Sequence, residues 1–296
     1  MIVFRSPEEV PGGFGPSAVA IGKFDGVHAG HRAVIERLKE AAAATGSRAV
    51  AVTFDRNPLA VIRPDRCPEN VVTVERKLEL LGGLGLDATL VLTFDEEMAA
   101  RSAEDFVVDI LVGALQVSTV LVGQDFRFGH RGAGTPELLR ELGPRYGFSV
   151  EVVDDVYLPG SPRRVSSSWI RELLMEGDVA SAATVLGRYP DVRGEVVHGL
   201  KRGRELGFPT ANLSTIVDAF VPPTGCTPGG SSTTTPASVI RPRSRWARIR
   251  PSTTCSYVRS RRTCWGRPGS TCTDTMSRSS SWRGCGAWSP SRASRS

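Results

Sequence analysis

Between residues 18 and 153 the sequence alternates short apolar runs with stretches of helical periodicity. Short apolar runs bounded by turn-forming residues are typical of buried strands, and apolar residues three and four apart indicate amphipathic helices. We predict strands at 17–21, 49–54, 89–94, 119–122 and 149–153, and helices at 30–44, 106–115, 136–146, 168–175 and 179–186. Such alternation predicts an α/β fold with a doubly wound parallel sheet, which binds ligands beyond the carboxyl ends of its strands.

A glycine-rich turn follows the first predicted strand and leads into the first predicted helix. It reads I-G-K-F-D-G-V-H-A-G-H over Ile21–His31. Glycines let a backbone turn tightly and approach a ligand, and a helix N-terminus offers free N–H groups to a phosphate. His28 and His31 are three residues apart, so both imidazoles can face one phosphate and stabilise charge that develops on it. The alternative is that one histidine caps the turn and the other packs.

This turn resembles the signature of the Rossmann-like H-x-G-H nucleotidyltransferases. Its longer form, G-x-F-D-G-x-H-x-G-H, resembles the prokaryotic bifunctional riboflavin kinase/FMN adenylyltransferase (FAD synthetase) family within them. Three later segments resemble the other adenylyltransferase motifs of that family, in order: Thr53–Pro58 (T-F-D-R-N-P), Val122–Gly129 (V-G-Q-D-F-R-F-G) and Ser166–Arg171 (S-S-S-W-I-R). All four segments fall at strand ends or at a helix start, where this fold places its cleft.

The resemblance implies that the chain transfers AMP from ATP to FMN, giving FAD and pyrophosphate, with Mg²⁺ neutralising the phosphates. The catalytic residues that it implies are His28, His31 and Arg171. ATP contacts are implied for Gly22, Phe24, Gly26, Gly30, Ser167 and Ser168. Flavin contacts are implied for Asn57, Asp125, Phe54, Phe126 and Phe128. For each of these last three phenylalanines, packing in the core is an equally good interpretation.

A second domain is predicted to begin after Leu186. Gly194–Leu213 (G-E-V-V-H-G-L-K-R-G-R-E-L-G-F-P-T-A-N-L) closely resembles the opening of the β-barrel riboflavin kinase domain. The resemblance implies a phosphate loop that contains Gly199, Lys201 and Gly203. It also implies two Mg²⁺ ligands, Thr210 and Asn212. The last two offer hydroxyl and amide oxygens, which suit Mg²⁺. The later strands, the G-T-N-P-T-F-like segment and the glutamate base of such kinases do not follow. We therefore expect no phosphorylation of riboflavin by this chain.

The charge of the chain divides at Pro223. Residues 1–223 hold 24 Lys and Arg against 30 Asp and Glu, a net charge of −6, whereas residues 224–296 hold 13 Arg and one acid, a net charge of +12. Codons can be chosen for parts of this tail, such as Trp246–Thr253, that yield family-like segments such as G-T-N-P-T-F-D when they are read one base out of frame. We hypothesise a one-base frameshift near Pro222–Pro223. The alternative is a natural basic, disordered tail.

The predicted organisation is an FMN adenylyltransferase domain at 1–186, a truncated riboflavin kinase opening at 187–223 and an irregular tail at 224–296. A single cysteine, Cys67, in residues 1–223 fits a reducing compartment and predicts a cytoplasmic location. No apolar run approaches the roughly 18 residues of a membrane span. The expected partners are therefore small molecules, without nucleic acid or membrane, and the oligomeric state is left open.

Two other functions remain open at this point. One is another H-x-G-H nucleotidyltransferase, with a pantetheine-, nicotinate- or polyol-phosphate acceptor. The kinase-like segment Gly194–Leu213 argues against that class, because fusion to a flavin kinase is peculiar to the FAD family. The other is a non-catalytic binding protein that the +12 tail recruits to nucleic acid. The tail lacks the ordered basic and aromatic surface that such binding uses.

Overall fold

The computed structural model describes residues 1–197, 212–213 and 219–222, and the statements on structure concern these residues. The strands are β1 Ile2–Phe4, β2 Ser17–Ile21, β3 Arg48–Phe54, β4 Ala88–Leu92, β5 Val117–Gly123, β6 Ser149–Val153, β7 Val196–Val197 and β8 Asn212–Leu213. The α-helices are α1 Ala29–Thr45, α2 Leu59–Ile62, α3 Val74–Gly82, α4 Glu96–Ala100, α5 Ala103–Asp105, α6 Pro136–Tyr146, α7 Ser167–Glu176 and α8 Val179–Leu186. A π-helix follows α5 at Phe106–Ala114.

Strands β1 to β6 form one sheet in the order β1-β4-β3-β2-β5-β6, and every neighbouring pair is parallel. After β2 the chain forms β3 and β4 on one side of β2, and it later forms β5 on the other side of β2. The topological switch point therefore lies between β2 and β5, and ligands of such sheets bind beyond the carboxyl ends of these strands. The predicted doubly wound parallel sheet is confirmed.

The sheet is buried on both faces, as a parallel sheet with helices on each side must be. Along β2 the residues alternate between two core clusters, because successive strand side chains point to opposite faces. Val19 and Ile21 belong to one cluster, and Ala18 and Ala20 to the other. Helix α1 packs its buried residues on the alanine side, where the small side chains leave room for a helix to lie close.

Several elements match their predicted bounds, and others differ. The strands β2 and β6 and the helices α6 and α8 have the bounds predicted for them. Phe106–Ala114 is helical as predicted but is a π-helix. Strand β1 and helix α3 were not predicted. The first has three residues at the sheet edge, and the second places the charged residue Lys77 at a buried position, which interrupts its apolar pattern.

The chain divides into two compact units. The first includes Met1–Leu173 and Ala180–Val192 and contains the six-stranded sheet. In the described part of the second, β7 and β8 form an antiparallel pair, and both strands lie within the segment Gly194–Leu213 that resembles the opening of a β-barrel kinase domain. The predicted kinase residues Gly199, Lys201, Gly203 and Thr210 lie outside the described residues, and only the backbone of Asn212 is described, in β8. Within the described ranges, no helix is long and apolar enough to cross a membrane.

Candidate active site

The loop between β2 and α1 holds an unusual backbone conformation. Phe24, Gly26 and Val27 all have positive φ, at 48°, 82° and 41°. Glycine adopts this region without cost, but a β-branched residue such as valine is a genuine outlier there. Such strain persists only where the surroundings hold the backbone in place, and it is concentrated at functional sites. The contacts that hold this loop therefore define the candidate site.

One side of the loop is held by the neighbouring strand and by α3. The carbonyl oxygen of Lys23 accepts a hydrogen bond from Oγ1 of Thr53 at 3.1 Å and from Nζ of Lys77 at 3.3 Å. The same ammonium donates to Thr53 Oγ1 at 3.1 Å and to the carbonyl oxygen of Phe54 at 2.8 Å. The first and second sequence motifs are thus joined through one buried lysine, which the sequence alone did not indicate.

The other side is held by α7 and by the segment after α8. Ser167 donates through Oγ to the carbonyl oxygen of Asp25 at 2.8 Å. Arg188 donates through Nη1 to the carbonyl oxygen of Gly26 at 2.7 Å, although it lies 162 residues away in the sequence. Burial, opposed by the nearby Asp191, lowers the pKa of Arg188 to about 10. Arg188 is a second loop-holding residue that the motifs did not reveal.

The carboxylate of Asp25 binds the predicted catalytic arginine. Arg171 donates to it through Nη2, and the backbone N–H of Val71 donates to it at 2.8 Å. Burial raises the pKa of Asp25, while the charge of Arg171 opposes that shift. Arg171 also donates through Nε to the carbonyl oxygen of Glu69 at 2.6 Å. These bonds engage two of the five N–H groups of the guanidinium.

The two histidines lie ring to ring at the start of α1. His28 is the N-cap residue, and its Nδ1 accepts from the backbone N–H of His31 at 3.3 Å. Its ring proton is therefore on Nε2, since a nitrogen that accepts a hydrogen bond carries the lone pair. The ring centroids are 3.6 Å apart and the planes are within 15°. A Cβ at Gly30 would lie 3.2 Å from the His28 ring, so glycine gives that ring its space.

Both imidazoles are neutral at physiological pH. Burial, followed by the positive charges of Arg188 and Arg164, lowers the pKa of His28 to about 4. Burial, followed by His28 and Lys77, lowers the pKa of His31 well below its usual value. The Nδ1 atom of His31 is buried without a hydrogen-bond partner in the described structure. The alternative that one histidine caps and the other packs is realised in part, since His28 caps α1 and the His31 ring contacts Phe24 edge-on at 5.3 Å.

Gly26 and Gly22 border the same loop. A Cβ at Gly26 would lie 3.1 Å from Val71 and, with φ at 82°, would be strained in any case. A Cβ at Gly22 would lie 3.2 Å from the ring of Phe24, which is 1% exposed. Ser168 is exposed at the first turn of α7, next to the half-buried Ser167. The predicted ATP residues are therefore gathered around the loop and the start of α7.

The predicted flavin residues are placed in different surroundings. Asn57 accepts a hydrogen bond through Oδ1 from the backbone N–H of Leu59, the first residue of α2, at 3.1 Å. Phe128 is 7% exposed and lies in the core, with its ring stacked on Phe126 at 5.5 Å. Phe54 and Phe126 are only partly buried and pack against the same core. Core packing thus accounts for Phe128, while the other two are partly exposed to solvent.

Arg164 connects the loops after β5 and β6. Its Nη1 lies 3.0 Å from the carboxylate of Asp125 and 3.2 Å from that of Asp155. Its positive charge is also one of those that lower the pKa of His28, after burial and the charge of Arg188. Arg164 therefore binds the third motif through Asp125 and acts electrostatically on the histidine of the first motif. Within the described part of the chain, no group of three His, Cys, Asp or Glu residues could hold a metal ion by itself.

A family model described as FAD synthetase matches residues 14–169, more than half of the chain. The chain belongs to the FAD synthetase family. The matched region of this FAD synthetase family member includes the strained loop, both histidines and the serines at the start of α7. A second family model, riboflavin kinase, matches residues 186–229. That stretch includes Arg188, whose guanidinium holds the loop of the first unit.

Relatives in the FAD synthetase family are named as bifunctional enzymes. The riboflavin kinase/FMN adenylyltransferase of Escherichia coli (strain K12) is 37% identical over 195 residues, 66% of this chain and 62% of that protein. Its counterpart in Bacillus subtilis (strain 168) is 36% identical over 212 residues, 71% of this chain and 65% of that protein. The chain thus spans slightly less than two thirds of the length of these relatives.

A solved structure also resembles this family member. It is a crystal structure described as a macrolide-efflux protein from Streptococcus pneumoniae, with a TM-score of 0.65 and 27% sequence identity. The similarity covers 75% of this chain and 71% of that chain. The fold described above is therefore one that has been observed in a crystal.

Proposed function

We propose that this chain transfers AMP from ATP to FMN, giving FAD and pyrophosphate. The observation that carries the proposal is the stacked pair of neutral imidazoles, His28 and His31, at the start of the 17-residue helix α1. The pair lies beyond the carboxyl end of β2, at the switch point of the sheet. The names of the bifunctional relatives, with FMN adenylyltransferase as one activity, support the same reaction.

The proposed reaction is an in-line displacement at the α-phosphorus of ATP. An oxygen of the FMN phosphate forms the new bond, the bond from the α-phosphorus to the bridging oxygen breaks, and the electron pair leaves with pyrophosphate. Such transfers depend mainly on positioning and on electrostatic stabilisation. His28 would donate through Nε2–H to an α-phosphate oxygen, because its Nδ1 is engaged with the backbone of His31. The N-terminus of α1 adds positive dipole at the same place.

The leaving pyrophosphate would be held at the start of α7. Arg171 has N–H groups beyond those bound to Asp25 and Glu69, and a guanidinium binds phosphate oxygens bidentately. Ser167 and Ser168 lie in the first turn of the same helix, where free backbone N–H groups attract anions. Mg²⁺ would neutralise the phosphates and be held mainly by ATP itself, since the described residues offer no acidic cluster for it.

The flavin would lie along the ends of β3 and β5. Phe54 and Phe126, which are only partly buried, would stack on the isoalloxazine, whereas Phe128 lies in the core. Asn57 and Asp125 supply polar groups at the two strand ends, although each is engaged in this structure, with Leu59 and Arg164 respectively. We propose that these two contacts rearrange when the flavin binds.

The experiment that tests this proposal measures FAD formation and pyrophosphate release by the full chain with ATP and FMN. Phosphopantetheine, nicotinate mononucleotide and a polyol phosphate serve as competing acceptors. Pyrophosphate release with ATP and FMN, but with none of the other acceptors, supports the proposal. Pyrophosphate release only with another acceptor assigns the chain to that nucleotidyltransferase class. Salt-sensitive retention of RNA that disappears on deletion of residues 224–296, without any transfer, would favour the binding-protein alternative.

Riboflavin kinase activity is a separate matter. We propose that the polypeptide of this sequence does not phosphorylate riboflavin, because the strands and the glutamate base that follow the P-T-A-N turn in that family are not found in its sequence. Incubation with riboflavin and ATP should yield no FMN, whereas FMN supplied directly should yield FAD. Formation of FMN would refute this.

We also propose a cytoplasmic location for the chain, because a single cysteine in residues 1–223 fits a reducing compartment.

A further inference from the structure

We propose that Lys77 is a positioning residue for adenylyl transfer, which holds the strained loop between β2 and α1 against the end of β3. The proposal rests on the function proposed above. Lys77 lies on α3 and donates no hydrogen bond to either histidine among the described residues. It acts through the backbone of the loop, where it binds the carbonyl oxygen of Lys23. The four sequence motifs do not include it.

The ammonium of Lys77 makes a complete set of hydrogen bonds. Its side chain is 7% exposed, and Nζ donates to Phe54 O at 2.8 Å, Thr53 Oγ1 at 3.1 Å and Lys23 O at 3.3 Å. An ammonium has three donors, so all of them are used. The acceptors lie at the carboxyl end of β3 and in the loop after β2. One buried cation therefore joins the first two motifs.

The position of the Lys23 carbonyl explains why this contact matters for the site. It directly precedes Phe24, whose φ of 48° begins the strained segment that ends at His28. If the carbonyl rotates, the backbone N–H of Phe24 rotates with it, because both belong to one planar peptide group, and the φ of Phe24 then changes. Loss of the ammonium would therefore let the loop relax and move His28 away from the position that the strain imposes. A displacement of about 1 Å at a reacting group costs roughly 100-fold in rate.

The charge of Lys77 acts on the site as well as its hydrogen bonds. Its positive charge is one cause of the low pKa of His31, after burial and the neighbouring His28. Burial lowers the pKa of Lys77 itself to about 8, and the carboxylates of Asp25 and Asp55 oppose that shift. Deprotonation above this value removes one donor and the charge. The titratable groups that act on Lys77 and its neighbour His31 are thus Asp25, Asp55, His28 and Lys23.

The test measures kcat, KM and the pH profile of FAD formation for Lys77→Met and Lys77→Arg in the full chain. We expect Lys77→Met to lower kcat by about 100-fold with a much smaller change in the KM for FMN. In the wild type, kcat should fall as the pH rises through about 8. In Lys77→Arg, which remains charged at these pH values, a larger part of kcat should be retained and the alkaline fall should move to higher pH.

Lys39→Met is the matched control, because Lys39 lies on the outer face of α1 and pairs only with Glu36 among the described residues. Circular dichroism and thermal unfolding establish that each variant is folded. Wild-type kcat in folded Lys77→Met would overturn the proposal, and so would an unchanged alkaline fall in Lys77→Arg. The second result decides the matter even if Lys77→Met does not fold. A wild-type chain that forms no FAD would instead refute the proposed function.

Discussion

Arg171 on α7 and Asp25 in the loop after β2 form a hydrogen-bonded ion pair across 146 residues of sequence, with both side chains only 13–14% exposed. The arginine that we propose to hold the leaving pyrophosphate therefore also fixes the loop that ends at His28. In the proposed reaction, this one contact would link the positioning of the α-phosphate to that of the leaving group. Asp25 lies in the first motif but is not among the predicted site residues, and it binds one of the predicted catalytic residues.

Replacement of Arg171 should impair both catalysis and stability. Arg171→Ala removes phosphate donors and leaves the Asp25 carboxylate buried without its cation, which typically costs about 3 kcal/mol. We expect FAD formation to fall at least 100-fold, roughly the effect of removing one preorganised donor. In Asp25→Asn/Arg171→Ala the free energy of unfolding should partly recover while the rate does not. Equal recovery of both would show that Arg171 acts only on the fold. The exposed Arg140→Ala is the control.

Replacement of His28 should lower the rate without removing the helix cap. Asparagine is among the preferred N-cap residues, so His28→Asn keeps an acceptor for the backbone N–H of His31. It removes the imidazole donor at Nε2, and we expect FAD formation to fall by about 100-fold or more. His130, an exposed histidine in a surface turn, provides the control variant His130→Asn. A rate in His28→Asn equal to that of the control would exclude His28 from the reaction.

The neutral histidines predict a loss of stability in acid. The pKa of His28 is about 4 in the folded chain against 6.5 for a free side chain. The unfolded state therefore binds the proton first as the pH falls from about 6.5 to 4. At pH 5 the cost from His28 is about 2 kcal/mol, and at neutral pH and above it vanishes. Urea unfolding at pH 7 and pH 5 measures it.

The same measurement on His28→Asn separates this histidine from the other acid-sensitive groups. The variant should lose less free energy of unfolding between pH 7 and pH 5 than the wild type does. His31, whose pKa is also well below its usual value, should contribute in the same direction. An identical acid loss in wild type and variant would show that His28 is not held neutral by the fold.

Replacement of Arg188 should raise the pKa of His28 and loosen the loop. The guanidinium is the largest cause of that low pKa after burial, and it binds the carbonyl oxygen of Gly26. The rate of FAD formation should fall in acid as His28 takes up a proton. In Arg188→Met we expect this acid limb of the kcat profile to move to higher pH, and we expect kcat at neutral pH to fall. Arg145→Met is the comparison, because Arg145 is an exposed arginine of α6 that pairs with Glu104. An unmoved acid limb would contradict an electrostatic role of Arg188.

Much of the fold and part of the site could be predicted from the sequence. The bounds of β2, β6, α6 and α8 follow from local apolar periodicity, which depends on neighbouring residues alone. The glycine-rich turn could be placed between β2 and α1 for the same reason, and with it His28 and His31. The short edge strand β1 could not, because three residues carry too little periodicity.

The amino-acid sequence by itself determined the alternation of the main strands and helices from β2 onward, the place of the H-x-G-H turn and the family. Only the tertiary structure decided which side chains hold that turn. Lys77, Arg188 and Arg171 reach it from α3, from the segment after α8 and from α7. A buried charge must find its partners wherever the topology brings polar groups together, and these partners lie far apart along the chain. The local sequence pattern therefore locates the loop. The packing of distant elements holds the loop in its strained conformation and places charged side chains against it.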